Sequence, residues 1–285
     1  MTDDPRTLVS TDWLAARLRD PDIRVIDASW HMPATGRDGR VEYDAAHIPG
    51  AWFFDIDAIS DPQSDLPHMA PPPEAFADAM RAAGIGDGQQ VVIYDDAAGR
   101  SATRAWWTFR LMGKTDVAVL DGGLAKWRAE GRAVDDRAPA APRERQFTAR
   151  HQPALVRDVT QVATASKLGQ AQIVDARSPE RFRGEVAEPR PGLRSGHIPG
   201  SRNLPIARIY NDDGTMRPVP DLRAAFKDAG VDLDRPVITT CGSGVTAASL
   251  ALALERIGHR DWSLYDGSWS EWGSFPDLRI ATGDA

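Results

Sequence analysis

Cysteine is nearly missing from this chain: Cys241 is the only one in 285 residues. That excludes an internal disulfide and any paired-cysteine metal site. Histidine is scarce too. Its six copies, at positions 31, 47, 68, 151, 197 and 259, form no ligand pair at helical spacing. No apolar run approaches the length of a membrane span. The start, Met1-Thr2-Asp3-Asp4-Pro5, is polar and acidic, unlike a secretory signal. An excess of basic residues is also lacking: 34 Lys and Arg against 41 Asp and Glu leave a net charge of −7, which argues against a nucleic-acid surface. The expectation is a reduced, cytoplasmic protein with no metal, no cofactor, and neither membrane nor nucleic acid as a partner.

What the chain does contain is a repeat of itself. Ile26-Asp27-Ala28 recurs as Val174-Asp175-Ala176, and His47-Ile48-Pro49-Gly50 as His197-Ile198-Pro199-Gly200. Ala83-Gly84 recurs as Ala229-Gly230, Val92-Ile93 as Val237-Ile238, and Leu120-Asp121-Gly122-Gly123 as Tyr265-Asp266-Gly267-Ser268, with Trp127 matching Trp272. The order is kept, so these are two domain-sized copies rather than solenoid units. Each alternates short β-branched runs with helical patterns. In the first, strands are expected at 24–28, 91–94 and 117–120, with helices after Ser10, from Pro73 to Ala83 and over 101–112. In the second, strands are expected at 172–175, 237–240 and 263–265, with helices over 158–168, 221–229 and 245–257. That pattern predicts α/β architecture, a mostly parallel sheet in each copy with helices on both faces. Residues 1–137 form the first domain and 154–285 the second. Residues 138–153, rich in Ala, Pro and Arg, read as an extended linker. Residues 61–73 hold five prolines and read as an ordered or semi-rigid loop.

The stretch Thr239-Thr240-Cys241-Gly242-Ser243-Gly244-Val245-Thr246 carries the chemistry. A strand runs into a tight glycine loop and then a helix, which places the thiol at the carboxyl end of a strand, where open α/β sheets put reactive groups. The helix start offers its positive end and unpaired N–H groups. Gly242 and Gly244 are expected to turn further N–H groups inward as an anion-binding nest. Together these favour a thiolate. The alternative is a buried structural cysteine. A cysteine phosphatase would need an arginine shortly after the thiol, where Val245-Thr246-Ala247-Ala248 offers no cation. Papain-like signatures are absent. Aligned on Val-Ile, Cys241 falls opposite Asp96 of the first copy, which reads as catalytically degenerate.

Two unequal copies, a single active cysteine in the second, and Cys-Gly-Ser-Gly-Val-Thr together resemble the tandem rhodanese-fold sulfurtransferases. The likeness covers nearly the whole chain and includes Phe53-Phe54-Asp55-Ile56-Asp57, Trp106-Trp107 and Asp266-Gly267-Ser268-Trp269. Thiosulfate-preferring members usually carry cationic residues directly after the cysteine; the neutral Gly242-Ser243 is similar to members that use 3-mercaptopyruvate. The resemblance implies that Cys241 takes sulfur from 3-mercaptopyruvate as a persulfide, releases pyruvate, and passes the sulfur to a thiol such as thioredoxin or glutathione, or to cyanide. It implies Arg181 and Arg190 as the substrate-binding pair; on the residues alone they read as surface arginines beside Glu180, Glu185 or Glu188. It also implies a set of Ser243, His47 and Asp38, although the recurrence of the same motif at His197 suits a shared turn instead. A thiosulfate sulfurtransferase and a persulfide carrier for a protein partner stand as alternatives.

Overall fold

The computed structural model describes residues 2–96, 100–139 and 143–284. The chain divides into two compact units. One holds Met1–Pro62, Ala70–Gln152 and Asp212–Met216; the other holds Gln63–Met69, Pro153–Asn211 and Arg217–Ala285. Each half of the sequence thus lends a short loop segment to the other unit.

In the first unit the order is β1 (Leu8–Val9), α1 (Thr11–Ala15), β2 (Ile23–Asp27), α2 (Gly39–Ala45), β3 (Trp52–Phe53), α3 (Pro73–Ala82), β4 (Gln90–Tyr94), α4 (Ser101–Leu111), β5 (Val117–Leu120) and α5 (Gly123–Ala129). The second unit repeats it as β6 (Val156–Arg157), α6 (Val159–Leu168), β7 (Gln172–Asp175), α7 (Pro179–Arg183), β8 (Arg202–Asn203), α8 (Val219–Asp228), β9 (Val237–Thr240), α9 (Ala247–Arg256), β10 (Trp262–Tyr265) and α10 (Ser268–Trp272). Among the described residues each unit has one five-stranded sheet, ordered β1-β5-β4-β2-β3 and β6-β10-β9-β7-β8. Within these sheets every strand pairing among the described residues is parallel. A parallel sheet needs cover on both faces, which explains the wholly buried runs of β5, β9 and β10.

Local sequence accounts for the element ends. The Ser10 hydroxyl accepts from Trp13 N and caps α1. Asp158 and Gln161 form a reciprocal capping box on α6. Prolines open α3, α7 and α8, where a missing N–H costs nothing. Trp106, Trp107, Trp127, Trp269 and Trp272 are all buried. Among the described residues no helix is long and apolar enough to cross a membrane.

The stretch read as a linker lies partly outside the described residues, at 140–142. Its later part packs on the first unit: Phe147 is buried edge-on against Phe76 and Phe109. Arg150 N and Gln152 N donate to the carbonyls of Met112 and Leu111 that close α4. Thr148 adds two bonds to the Asp87 carboxylate, at 2.8 Å each, so one buried ring and a run of hydrogen bonds hold the segment together.

Candidate active site

Cys241 follows β9 directly and is buried, with 2% of its surface exposed. The loop is held from one side. Cys241 N donates to Ser268 Oγ at 3.3 Å, and Cys241 O accepts from Trp269 N at 3.0 Å. The carbonyl of Gly242 accepts from both the backbone N and the Oγ of Ser270, at 2.8 and 2.7 Å. Ser268, at the head of α10, stands in the left-handed region at φ 49°, and its hydroxyl donates to Tyr265 O at 2.8 Å. In the sequence Asp266-Gly267-Ser268-Trp269 served only as part of the internal repeat and the family resemblance, and nothing in it marked this clamp.

Beyond Cys241, the N–H groups of Gly242, Ser243, Gly244, Val245 and Thr246 have no hydrogen-bond acceptor among the described residues. They lead into the start of α9, whose dipole adds positive potential. The two loop glycines differ, which corrects the expectation that both supply unusual backbone angles. Gly244 does, at φ 79°. Gly242 does not. Its missing side chain makes room instead: a Cβ there would lie 3.0 Å from Nη2 of Arg181.

Arg181, in the last turn of α7, therefore lies across the loop. One edge of its fork is held by Glu188, with Nε on Oε1 at 3.2 Å and Nη2 on Oε2 at 2.5 Å. Glu188 is buried and also accepts from Arg177 Nη1 at 2.9 Å. Arg177 in turn grips Asp175, with Nη2 on Oδ2 at 2.7 Å, donates to Gly196 O at 2.8 Å, and stacks 4.3 Å from the Trp269 ring. Burial opposes the charge of Arg177, but Asp175 and Glu188 outweigh it and hold the guanidinium's pKa above the ordinary value. Arg190 is half-buried and donates to Nε2 of His68 at 3.4 Å. His68 reaches this unit from the proline-rich loop of the first copy.

Ser243 is buried in the loop beside Cys241, Val245 is buried, and Thr246 is the residue before α9. Asp38 and His47 belong to the first unit. Asp38 is the cap of α2, accepting from Arg40 N and Val41 N at 2.8 and 3.1 Å. His47 donates Nδ1–H to Tyr43 O at 2.8 Å and stacks on the Tyr43 ring at 4.3 Å. Its Nε2 is buried without a hydrogen-bond partner among the described residues. Asp38 and His47 therefore share no hydrogen bond. His197 repeats the arrangement, with Nδ1 on Phe182 O at 2.8 Å and stacking on Phe182 at 3.8 Å.

Those matching stacks align the copies more firmly than dipeptides do. Tyr43 corresponds to Phe182, so Glu42 stands where Arg181 does, with the opposite charge. Asp27 pairs in register with Tyr94, and Asp175 with Thr240. Leu124 N donates to Asp95 O as Trp269 N does to Cys241 O. The counterpart of Cys241 is therefore Asp95, one residue before the Asp96 expected. A uniform run of β-branched residues carries no internal mark of register, so matching Val-Ile slipped by one. Asp95 Oδ2 accepts from Ala102 N, at the start of α4, at 2.7 Å. The first copy thus has a carboxylate where the second has the thiol, and spends it on the head of its own helix.

Comparison with known proteins agrees with this architecture. Residues 10–130 and 158–274 each match the Rhodanese-like domain. The chain belongs to the rhodanese family, as two such domains in tandem. It is 46% identical over 275 residues to the 3-mercaptopyruvate sulfurtransferase of Escherichia coli strain K12, covering 95% of this chain and 96% of that one. It is 44% identical to the mitochondrial thiosulfate/3-mercaptopyruvate sulfurtransferase 1 of Arabidopsis thaliana, covering 96% of this chain and 77% of that one. The crystal structure of SseA from Escherichia coli, described among 3-mercaptopyruvate sulfotransferases, superposes with a TM-score of 0.84 at 43% identity, covering 92% of this chain and 98% of that one.

Proposed function

We propose that the chain moves sulfur from 3-mercaptopyruvate to a thiol acceptor through a persulfide on Cys241. The observation that carries this reading is the Arg181 guanidinium lying against Gly242, next to the thiol and its open amides. A donor needs its carboxylate held and its sulfur at the nucleophile. The outer edge of the Arg181 fork, beyond the edge taken by Glu188, suits a carboxylate in bidentate fashion, and Arg190 is assigned as the second cation of the pair.

In this scheme the Cys241 thiolate attacks the donor sulfur. The carbon–sulfur bond breaks, its electron pair passes into the adjoining ketone, and the resulting enolate takes a proton to become pyruvate. Ser243, two residues after Cys241 in the loop, is the hydroxyl we assign to deliver or orient that proton. The loop amides stabilise negative charge on the sulfur before and after transfer. An acceptor thiol such as thioredoxin or glutathione, or cyanide, then attacks the outer sulfur and restores Cys241. Asp38 and His47 have local duties in the first unit, and no step requires them. A working thiol suits a reducing compartment such as the cytoplasm.

Thiosulfate is the second donor to consider, because one relative's name carries both. A side-by-side steady-state assay decides: 3-mercaptopyruvate and thiosulfate with one thiol acceptor, following pyruvate and sulfite. A large preference for 3-mercaptopyruvate is expected. A preference for thiosulfate overturns the choice of donor. Turnover of neither donor removes the enzymatic reading and leaves a persulfide carrier.

A further inference from the structure

We infer that Glu188 is the positioning residue of the substrate clamp: it fixes Arg181 over Gly242, with Arg177 as its rear anchor. This rests on the reading of Arg181 as the group that binds the donor's carboxylate.

Three observations carry it. First, Glu188 is buried with both oxygens engaged, on Arg177 from one side and Arg181 from the other. An isolated buried carboxylate is costly, and one between two guanidiniums is not isolated. Second, the chain of contacts ends at the reacting loop. Asp175, Arg177, Glu188 and Arg181 alternate in charge and lead to Gly242, while Arg177 also stacks on Trp269, whose N–H holds Cys241 O. The thiol and the clamp therefore share one rigid support.

Third, the fold does not need this network, because the first copy does without it. There the buried aspartate is kept as Asp27, but Ser29 stands where Arg177 does and Glu42 where Arg181 does. Burial raises the Asp27 carboxyl above its ordinary range, only partly offset by hydrogen bonds from Ser29. Glu42 turns to Arg37 and His31. The two sheets have the same order and pairing all the same. The charge network is found in the copy that carries Cys241.

Arginine bound along one edge cannot swing, so its other edge keeps one direction. Glu188 thereby makes a flexible four-bond side chain into a fixed fork, which lowers the ordering cost of binding an anion.

The test is a double-mutant cycle on the full chain, with Arg181→Ala, Glu188→Gln and the double variant, measuring KM and kcat for 3-mercaptopyruvate and for thiosulfate. Glu188→Gln is expected to raise KM for 3-mercaptopyruvate on the order of tenfold, about the worth of one charge-assisted hydrogen bond, with kcat and the thiosulfate KM changed far less. In the Arg181→Ala background the same change is expected to add nothing, since its effect passes through Arg181. Equal losses with both donors, or additive losses in the double variant, would show Glu188 to be structural and overturn the inference. An unmoved KM in Glu188→Gln, with Arg181→Ala still impaired, overturns it while leaving the clamp intact. An unmoved KM in Arg181→Ala sinks the clamp itself. Should Glu188→Gln fold poorly, Arg177→Lys, which keeps the charge and loses the fork, tests the same anchor and is expected to give a smaller rise of the same kind.

Discussion

Nη2 of Arg181 stands 3.0 Å from where a Cβ on Gly242 would be. Glu188 holds that guanidinium by two bonds, so it cannot retreat freely. Gly242 lies outside the left-handed region, and alanine there is not strained by its backbone. Gly242→Ala is therefore expected to fold normally and to raise KM for 3-mercaptopyruvate on the order of tenfold, the size of one displaced charge-assisted hydrogen bond. Steady-state kinetics beside a thermal melt checks this. An unchanged KM would mean that the two groups do not share a binding surface.

Gly244 makes the complementary case. At φ 79° a Cβ meets backbone strain of about 1–2 kcal/mol. Relief of that strain would re-aim the loop's N–H groups. Gly244→Ala is expected to lower kcat for both donors together and to lower the melting temperature modestly. Wild-type kcat in that variant would show that the open amides do not act on the reacting sulfur.

Arg181→Ala is expected to raise KM for 3-mercaptopyruvate far more than for thiosulfate, because only the former presents a carboxylate. Arg181→Lys keeps the charge without the planar fork and should recover only part of the loss. Equal effects on both donors would show that Arg181 provides general positive potential rather than a clamp.

Much of this was legible in the sequence because it was repeated. The paired motifs identified two α/β copies, and the thiol and the glycine loop stood out on their own residues; Arg181 and Arg190 came only from the family resemblance, since their residues alone read as surface charges. What stayed hidden depends on distance in space. Arg177 and Glu188 look like ordinary surface charges in a charged stretch, and only folding buries them between Asp175 and Arg181. His68, from a proline-rich loop of the first copy, meets Arg190 through tertiary placement alone. Gly242 looked like a conformational glycine because its neighbour Gly244 is one. Asp96 was matched to Cys241 because four similar β residues cannot reveal a slip of one.

Cys241→Ser is expected to abolish transfer. Incubation with donor alone should add the mass of one sulfur to the wild-type chain and none to the variant, as read by intact mass spectrometry. The chain has no other cysteine, so any sulfur retained covalently by the variant would refute Cys241 as the carrier.

His197 provides a pH test of the second unit's packing. Its ring lies on Phe182, its Nδ1–H is held by Phe182 O, and burial lowers its pKa below the ordinary 6.5. The carbonyl bond and Asp175 work the other way without overcoming burial. The unfolded chain takes up a proton near pH 6.5, whereas the native ring resists until the pH is lower. Between those two values the unfolded state binds more protons, so stability falls as the pH drops. His197→Asn keeps an N–H for the Phe182 carbonyl and has nothing to titrate. It is expected to be less stable than wild type at pH 8, through loss of the ring stack, and to show a shallower decline on acidification. Hydrogen exchange over residues 182–200 at a series of pH values reads this directly. An identical acid slope in wild type and variant would mean that His197 is protonated in the native state as readily as in the unfolded one, and that its burial has no part in the acid sensitivity of this unit.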